Sequence, residues 1–221
     1  MRLSCDAILF DLDGTLVDTA ADLAAALNAA IGPLGRRVMS PADARAMIGG
    51  GLPQLVRLGL ESSGGMPGAP EFDAAVQRAF DRYDARYADE SRPFPGVIDT
   101  LKRLKTAGVK MGVCTNKPAA FSAKILAALG LTPYLPVLVG GDSLPVKKPD
   151  PKMAFAVMER LGATAAQCVL VGDSETDVKL ARNAAIPVIL VRGGYTTIPV
   201  EQLGADAIVG GFAELPATLG R

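Results

Sequence analysis

Short apolar runs rich in β-branched residues, each closed by turn residues, recur along the chain at Ala7–Phe10, Val109–Cys114, Val137–Val139, Cys168–Val171, Val188–Val191 and Ala207–Val209. Runs this short and this apolar predict strands covered on both faces. Most are separated by apolar positions at three- and four-residue spacing, the mark of a helix with one buried side: Val97, Leu101 and Leu104; Phe121, Ile125 and Leu129; Ala154 to Leu161; Val178 to Ala185. Strand and helix in alternation predict an α/β fold, a doubly wound parallel sheet with helices on both faces. Ligands of such sheets gather at the carboxyl ends of the strands.

The alternation stops between Asp18 and Arg92, where helical spacing dominates and no strand pattern stands out. The chain therefore divides into a core domain of residues 1–17 and 93–221 and a smaller inserted α-helical domain of residues 18–92. The clearest element of the insertion is the stripe Phe72, Val76, Phe80, Tyr83 and Tyr87, expected to pack inward. Pro93, Pro95 and Gly96 mark the return to the sheet.

Composition narrows the chemistry. Lys plus Arg and Asp plus Glu are equal at 23 each, so no net field favours nucleic acid or an anionic membrane, and a small-molecule partner fits better. The longest uncharged stretch, Ile125 to Gly141, is broken by Gly130, Pro133 and Pro136, which argues against a membrane span. The N-terminus carries no secretory pattern, and the expected location is the cytoplasm. Three widely spaced cysteines, Cys5, Cys114 and Cys168, suit reduced thiols in or near strands. Histidine is absent altogether. Any catalysis must run on carboxylates, hydroxyls and lysine.

Four segments carry such groups. The first strand runs into Asp11-Leu12-Asp13-Gly14-Thr15, where two acids at a spacing of two can face one site. The second strand ends in Thr115-Asn116-Lys117, whose hydroxyl and amide can both hydrogen-bond a phosphate oxygen; taken alone they could equally just shape the turn. Lys147-Lys148-Pro149-Asp150 offers an ammonium that would offset clustered carboxylates, with a solvated surface pair as the alternative. The fourth strand ends in Gly172-Asp173-Ser174-Glu175-Thr176-Asp177, with acids four apart at the start of a helix. Helix capping would account for Asp173 without requiring Asp177.

In order and spacing these segments resemble the four motifs of the haloacid dehalogenase superfamily, and the helical insertion after the first motif resembles the cap of its phosphoglycolate phosphatase-like branch. Ile48-Gly49-Gly50-Gly51-Leu52 and Gly140-Gly141-Asp142-Ser143 are similar to that branch as well. The resemblance implies a Mg²⁺-dependent phosphatase for a small phosphorylated metabolite, 2-phosphoglycolate first among them. It makes Asp11 the nucleophile that forms an aspartyl phosphate, and Asp13 the acid and base. Thr115, Asn116 and Lys148 would bind the phosphate. Asp11, Asp173 and the backbone carbonyl of Asp13 would hold the metal, with Asp177 acting through water or a second hydrogen bond. Carbon–halogen enzymes of the superfamily generally lack the second aspartate, so Asp13 favours phosphate esters.

Arg45, just before the glycine turn of the insertion, is the candidate for a substrate carboxylate. The alternatives within the superfamily are a sugar-phosphate phosphatase, a pyrophosphatase or a β-phosphoglucomutase-like transferase. A phosphonatase-like enzyme would need a lysine in the cap, and none occurs between Asp18 and Arg92. The alternative from another class is a non-catalytic phosphate-binding module. No feature specifies an oligomeric state.

Overall fold

The structure, a computed structural model, describes Leu3 and residues 5–220. The chain forms two compact units: one runs to Asp18 and resumes at Pro93, and the other is Thr19–Arg92.

The first unit is built on six parallel strands: β1 (Ala7–Phe10), β4 (Lys110–Cys114), β5 (Val137–Val139), β6 (Cys168–Gly172), β7 (Val188–Val191) and β8 (Ala207–Val209). Two further strands of two residues, β2 (Val17–Asp18) and β3 (Arg92–Pro93), lie where the chain passes from one unit to the other. The order across the sheet is β5-β4-β1-β6-β7-β8. The chain thus builds outward from β1 on one side, then returns beside β1 and builds outward on the other. That reversal opens a crevice at the carboxyl ends of the central strands.

Every residue of β1 is buried, and each large apolar side chain held there contributes about 1.5–3 kcal/mol. Successive side chains take opposite faces. Ala7 and Leu9 join a cluster with α7 (Lys152–Leu161) and α8 (Glu175–Asn183), through Met153, Val157, Leu180 and Ala181. Phe10 stacks on Phe212 at 6.1 Å between ring centroids, near α5 (Val97–Thr106), whose Thr100 hydroxyl donates to the Phe212 carbonyl at 2.9 Å. The edge helix α6 (Ala119–Ala128) flanks β5, and α9 (Leu215–Thr218) packs on α5. Gly112 in β4 lets α7 approach closely, since a Cβ there would lie 2.9 Å from Val157.

Two helical expectations end sooner than the apolar pattern. α6 closes before Leu129, and α8 closes before Ala185, whose positive φ of 53° cannot continue a helix. All three cysteines are free and buried. Among the described residues no helix is long and apolar enough to cross a membrane.

The second unit contains α1 (Ala20–Ile31), α2 (Pro41–Arg45), α3 (Leu52–Glu61) and α4 (Ala69–Ala85). The inward-facing positions of α4 correct the expected aromatic stripe. Ala75, Ala79 and Tyr83 are buried, while Phe72, Val76 and Phe80 are only partly covered and Tyr87 lies beyond the helix. The reason is helix spacing. Alanines are buried on both α1 and α4, and small residues where the two helices meet bring the axes together at the expense of large side chains. Gly59 serves α3 likewise, because a Cβ there would meet Leu27 at 2.5 Å. The buried Asp22 closes the unit by accepting from the Ser91 hydroxyl at 2.6 Å and from the N–H groups of Ser91 and Glu90.

Candidate active site

Parallel register alone brings three of the motifs together. Phe10 lies opposite Val113 on one side and Val171 on the other. Asp11 therefore emerges from the sheet between Thr115 and Asp173, and its N–H still donates to the Val171 carbonyl at 2.9 Å. After Asp11 the chain turns sharply: the Leu12 carbonyl accepts from the N–H groups of both Leu16 and Val17 at 3.0 Å. Gly14 sits at φ 86°, and a Cβ on it would fall 2.6 Å from Asp173 Oδ2 and 2.9 Å from the Tyr195 ring. Only glycine meets both demands.

Lys148 is the centre of the site. Its Nζ lies 2.8 Å from Asp11 Oδ1 and 2.8 Å from Asp177 Oδ1, with 3% of its side chain exposed. Lys147 is exposed. Asn116 fixes the backbone of Lys148: its Oδ1 accepts from the Lys148 N–H at 2.8 Å and its Nδ2 donates to the Lys148 carbonyl at 3.3 Å. Asn116 therefore positions the loop that carries Lys148. Thr115 accepts from the Lys117 N–H at 3.2 Å, and its hydroxyl still carries a hydrogen to donate.

Asp173 is held by two donors. The Thr15 hydroxyl reaches Oδ1 at 2.8 Å, and the Tyr195 N–H reaches Oδ2 at 2.7 Å. Asp177 has a different task. Ser174, not Asp173, caps α8, and Asp177 completes the capping box by accepting on Oδ2 from the Ser174 hydroxyl at 2.6 Å and its N–H at 3.1 Å. Both oxygens of Asp177 are thus engaged, one by the cap and one by Lys148.

Oxygens of Asp11, Asp173 and Asp177 lie within 4.8 Å of one another. Burial, together with the charges of Asp177 and Asp13, pushes Asp11 up to about 6 although Lys148 pulls the other way. Burial and the charges of Asp177 and Asp11 push Asp173 up to about 8, against the pull of the Tyr195 N–H and Thr15. Burial alone would lower Lys148, but Asp11 and Asp177 outweigh it and hold the ammonium well above its ordinary range. One shared cation does not neutralise three buried acids, so Asp11 and Asp173 rise even with Lys148 fully charged. A divalent cation fits this deficit, with the oxygens of Asp11, Asp173 and Asp177 gathered closely enough to surround it.

Asp13 is turned aside from that group. Its carboxylate pairs with Lys117 Nζ at 3.0 and 3.2 Å. Sequence reasoning passed over Lys117, as it did Thr15 and Tyr195, which meet Asp173 across 158 and 22 residues. The Gly193-Gly194 pair could have signalled the last, since a Cβ on Gly194 would lie 2.3 Å from the Asp173 Cβ. Arg45 belongs to the second unit, where it ends α2 and is exposed.

Residues 8–191 match the family model for haloacid dehalogenase-like hydrolases. A phosphoglycolate phosphatase of Caulobacter vibrioides is 44% identical over 209 residues, covering 95% of this chain and 88% of its own. A plasmid-borne phosphoglycolate phosphatase of Cupriavidus necator is 43% identical, covering 99% of this chain and 95% of its own. Among solved structures, a predicted phosphoglycolate phosphatase from Haemophilus somnus superposes with a TM-score of 0.91 at 31% identity, over 96% of this chain and 97% of that one.

Proposed function

We propose that this chain, which belongs to the haloacid dehalogenase-like hydrolases and is a phosphoric monoester hydrolase, is a Mg²⁺-dependent phosphatase that hydrolyses 2-phosphoglycolate through a phosphate ester on Asp11. The observation that supports the reading is the bridge from Lys148 to Asp11 and Asp177, which holds the Asp11 carboxylate beside Asp173 at the end of the central strand. The named relatives, phosphoglycolate phosphatases at up to 44% identity, support the choice of substrate.

Asp11 and Asp173 would hold Mg²⁺, which when bound supplies positive charge to an oxygen of the transferring phosphoryl group. The chain's own residues do the rest. An Asp11 oxygen attacks phosphorus, forming the aspartyl O–P bond as the ester P–O bond breaks. Asp13, protonated, gives its proton to the departing alkoxide. It then takes a proton from water as that water attacks phosphorus and the aspartyl O–P bond breaks, returning Asp11 as a free carboxylate. The Thr115 hydroxyl and the backbone N–H groups after Asp11 donate to the equatorial oxygens. Lys148 keeps Asp11 in line and offsets the phosphate charge.

The test is phosphate release from 2-phosphoglycolate beside sugar phosphates and pyrophosphate, with Mg²⁺ and with EDTA. A metal-dependent preference for 2-phosphoglycolate is the expected result; preference for another ester would retain the mechanism and remove the substrate. A sugar-phosphate reading draws support from the likeness to CbbY of Rhodobacter sphaeroides, solved with xylulose-1,5-bisphosphate, at 26% identity and a TM-score of 0.81. Isomer formation without phosphate release would instead indicate a mutase.

The two adjacent lysines separate cleanly. Lys148→Met leaves Asp11 and Asp177 buried without their cation, and should cost about 3–5 kcal/mol of stability together with nearly all activity. Lys147→Met changes an exposed position and should shift stability by no more than about 0.5 kcal/mol. Paired melting curves and rates would show this, and an inactive Lys147 variant beside an active Lys148 variant would reverse the assignment.

A further inference from the structure

We propose that Lys117 recognises the leaving group: its ammonium receives a carboxylate carried one carbon from the ester oxygen, and the Asp13 carboxylate holds that place when no substrate is bound. The inference rests on the phosphatase reading above and assigns to one residue the preference for a second anion.

Lys117 is an unusual lysine. Lysine is rarely buried unless paired, yet only 5% of this side chain is exposed, and 13% of its partner Asp13. Neutralising the nucleophile does not explain it. Lys148 already lies against Asp11 and Asp177, whereas Lys117 lies against Asp13, to which the mechanism above gives the protonation of the leaving oxygen. Both Asp13 oxygens lie near Nζ, at 3.0 and 3.2 Å, so the structure shows how a carboxylate sits on this cation.

The geometry then selects a substrate class. An acid within hydrogen-bond reach of the ester oxygen puts its own partner about one hydrogen bond further on. A group joined to that oxygen through a single methylene spans about the same distance. A carboxylate at the end of that methylene can therefore replace Asp13 on Lys117, which turns Asp13 toward the ester oxygen. An ester without the second anion leaves Asp13 on Lys117, so the discrimination falls on turnover as well as binding. Position also favours the exchange: Lys117 follows Thr115 directly after β4, at the same sheet edge as Asp11, and its N–H bonds the Thr115 hydroxyl.

The test compares 2-phosphoglycolate with ethyl phosphate, which replaces the carboxylate by a methyl group, in wild type, Lys117→Met and Lys117→Arg at saturating Mg²⁺. The measured quantity is the ratio of kcat/KM for the two esters. Loss of one charged hydrogen bond should lower that ratio about 30-fold in the methionine variant, and arginine should restore most of it. Equal losses on both esters would reduce Lys117 to a support for Asp13 and overturn the inference. Should the methionine variant fail to fold, Lys117→Gln keeps an N–H toward Asp13 without the charge and is read by the same ratio. If wild type shows no preference for 2-phosphoglycolate, the substrate reading falls and takes this inference with it. A wild-type preference that survives in the neutral variants sinks the inference alone.

Discussion

Substituting Asp11→Asn is expected to lower phosphate release by at least about 10⁴-fold, the scale of removing a covalent nucleophile, while leaving the fold in place. Asparagine matches aspartate in shape, but its amide does not attack phosphorus. Its effect on stability follows from the burial of position 11. The Asp11 carboxyl rises to about 6 because burial and the neighbouring acids disfavour its charged form. A neutral amide is therefore tolerated, and Lys148 keeps Asp177 as a partner. The metal-free variant at pH 8 should melt no lower than wild type. Acid quenching of wild type during turnover should trap phosphate on the peptide that contains Asp11, and the variant should trap none. A variant that keeps more than about one hundredth of the activity would place the nucleophile elsewhere.

Parallel strands buried on both faces leave an unmistakable apolar signature, which is why β1, β4 and β6 and the polar residues that follow them can be read from the sequence. Register then converts three strand ends into one site without further information. What the sequence hides is what the loops do when they meet. Asn116 reads as a phosphate ligand because an amide after a strand can serve as one, and its bonds to the loop at Lys148, 32 residues on, leave no mark in the sequence pattern. Lys117 carries no mark in the sequence, because most lysines lie at the surface and nothing in the pattern sets this one apart. The Tyr195 contact to Asp173 uses a backbone N–H, a group that every residue but proline carries and that no side-chain pattern marks. In the helical unit the aromatic stripe drew attention from the alanines, although close helix packing is decided by the smallest side chains in the seam.

Removing the divalent metal is expected to stop turnover and to leave a protein whose stability declines as pH rises. The sign follows from Asp11 and Asp173, which rise from 3.8 to about 6 and about 8. Between 3.8 and those values the folded chain holds protons that the unfolded chain has released. Their contribution to stability is complete below 3.8 and is lost as pH climbs through 6 and then 8. A bound divalent cation works against this loss, because it takes the carboxylates in the deprotonated form and binds more tightly as protons leave. The melting temperatures with and without Mg²⁺ should therefore nearly coincide at about pH 5 and separate by roughly 5–10 °C at about pH 8, for metal at about a hundredfold its dissociation constant. Asp173→Asn removes the carboxylate with the higher value and a proposed metal ligand, so it should abolish the separation and flatten the decline of the metal-free form. Scanning calorimetry on EDTA-treated protein reads both effects. A separation that is equal at the two pH values, or that persists in the asparagine variant, would mean that the metal stabilises the fold from outside the Asp11 and Asp173 pair.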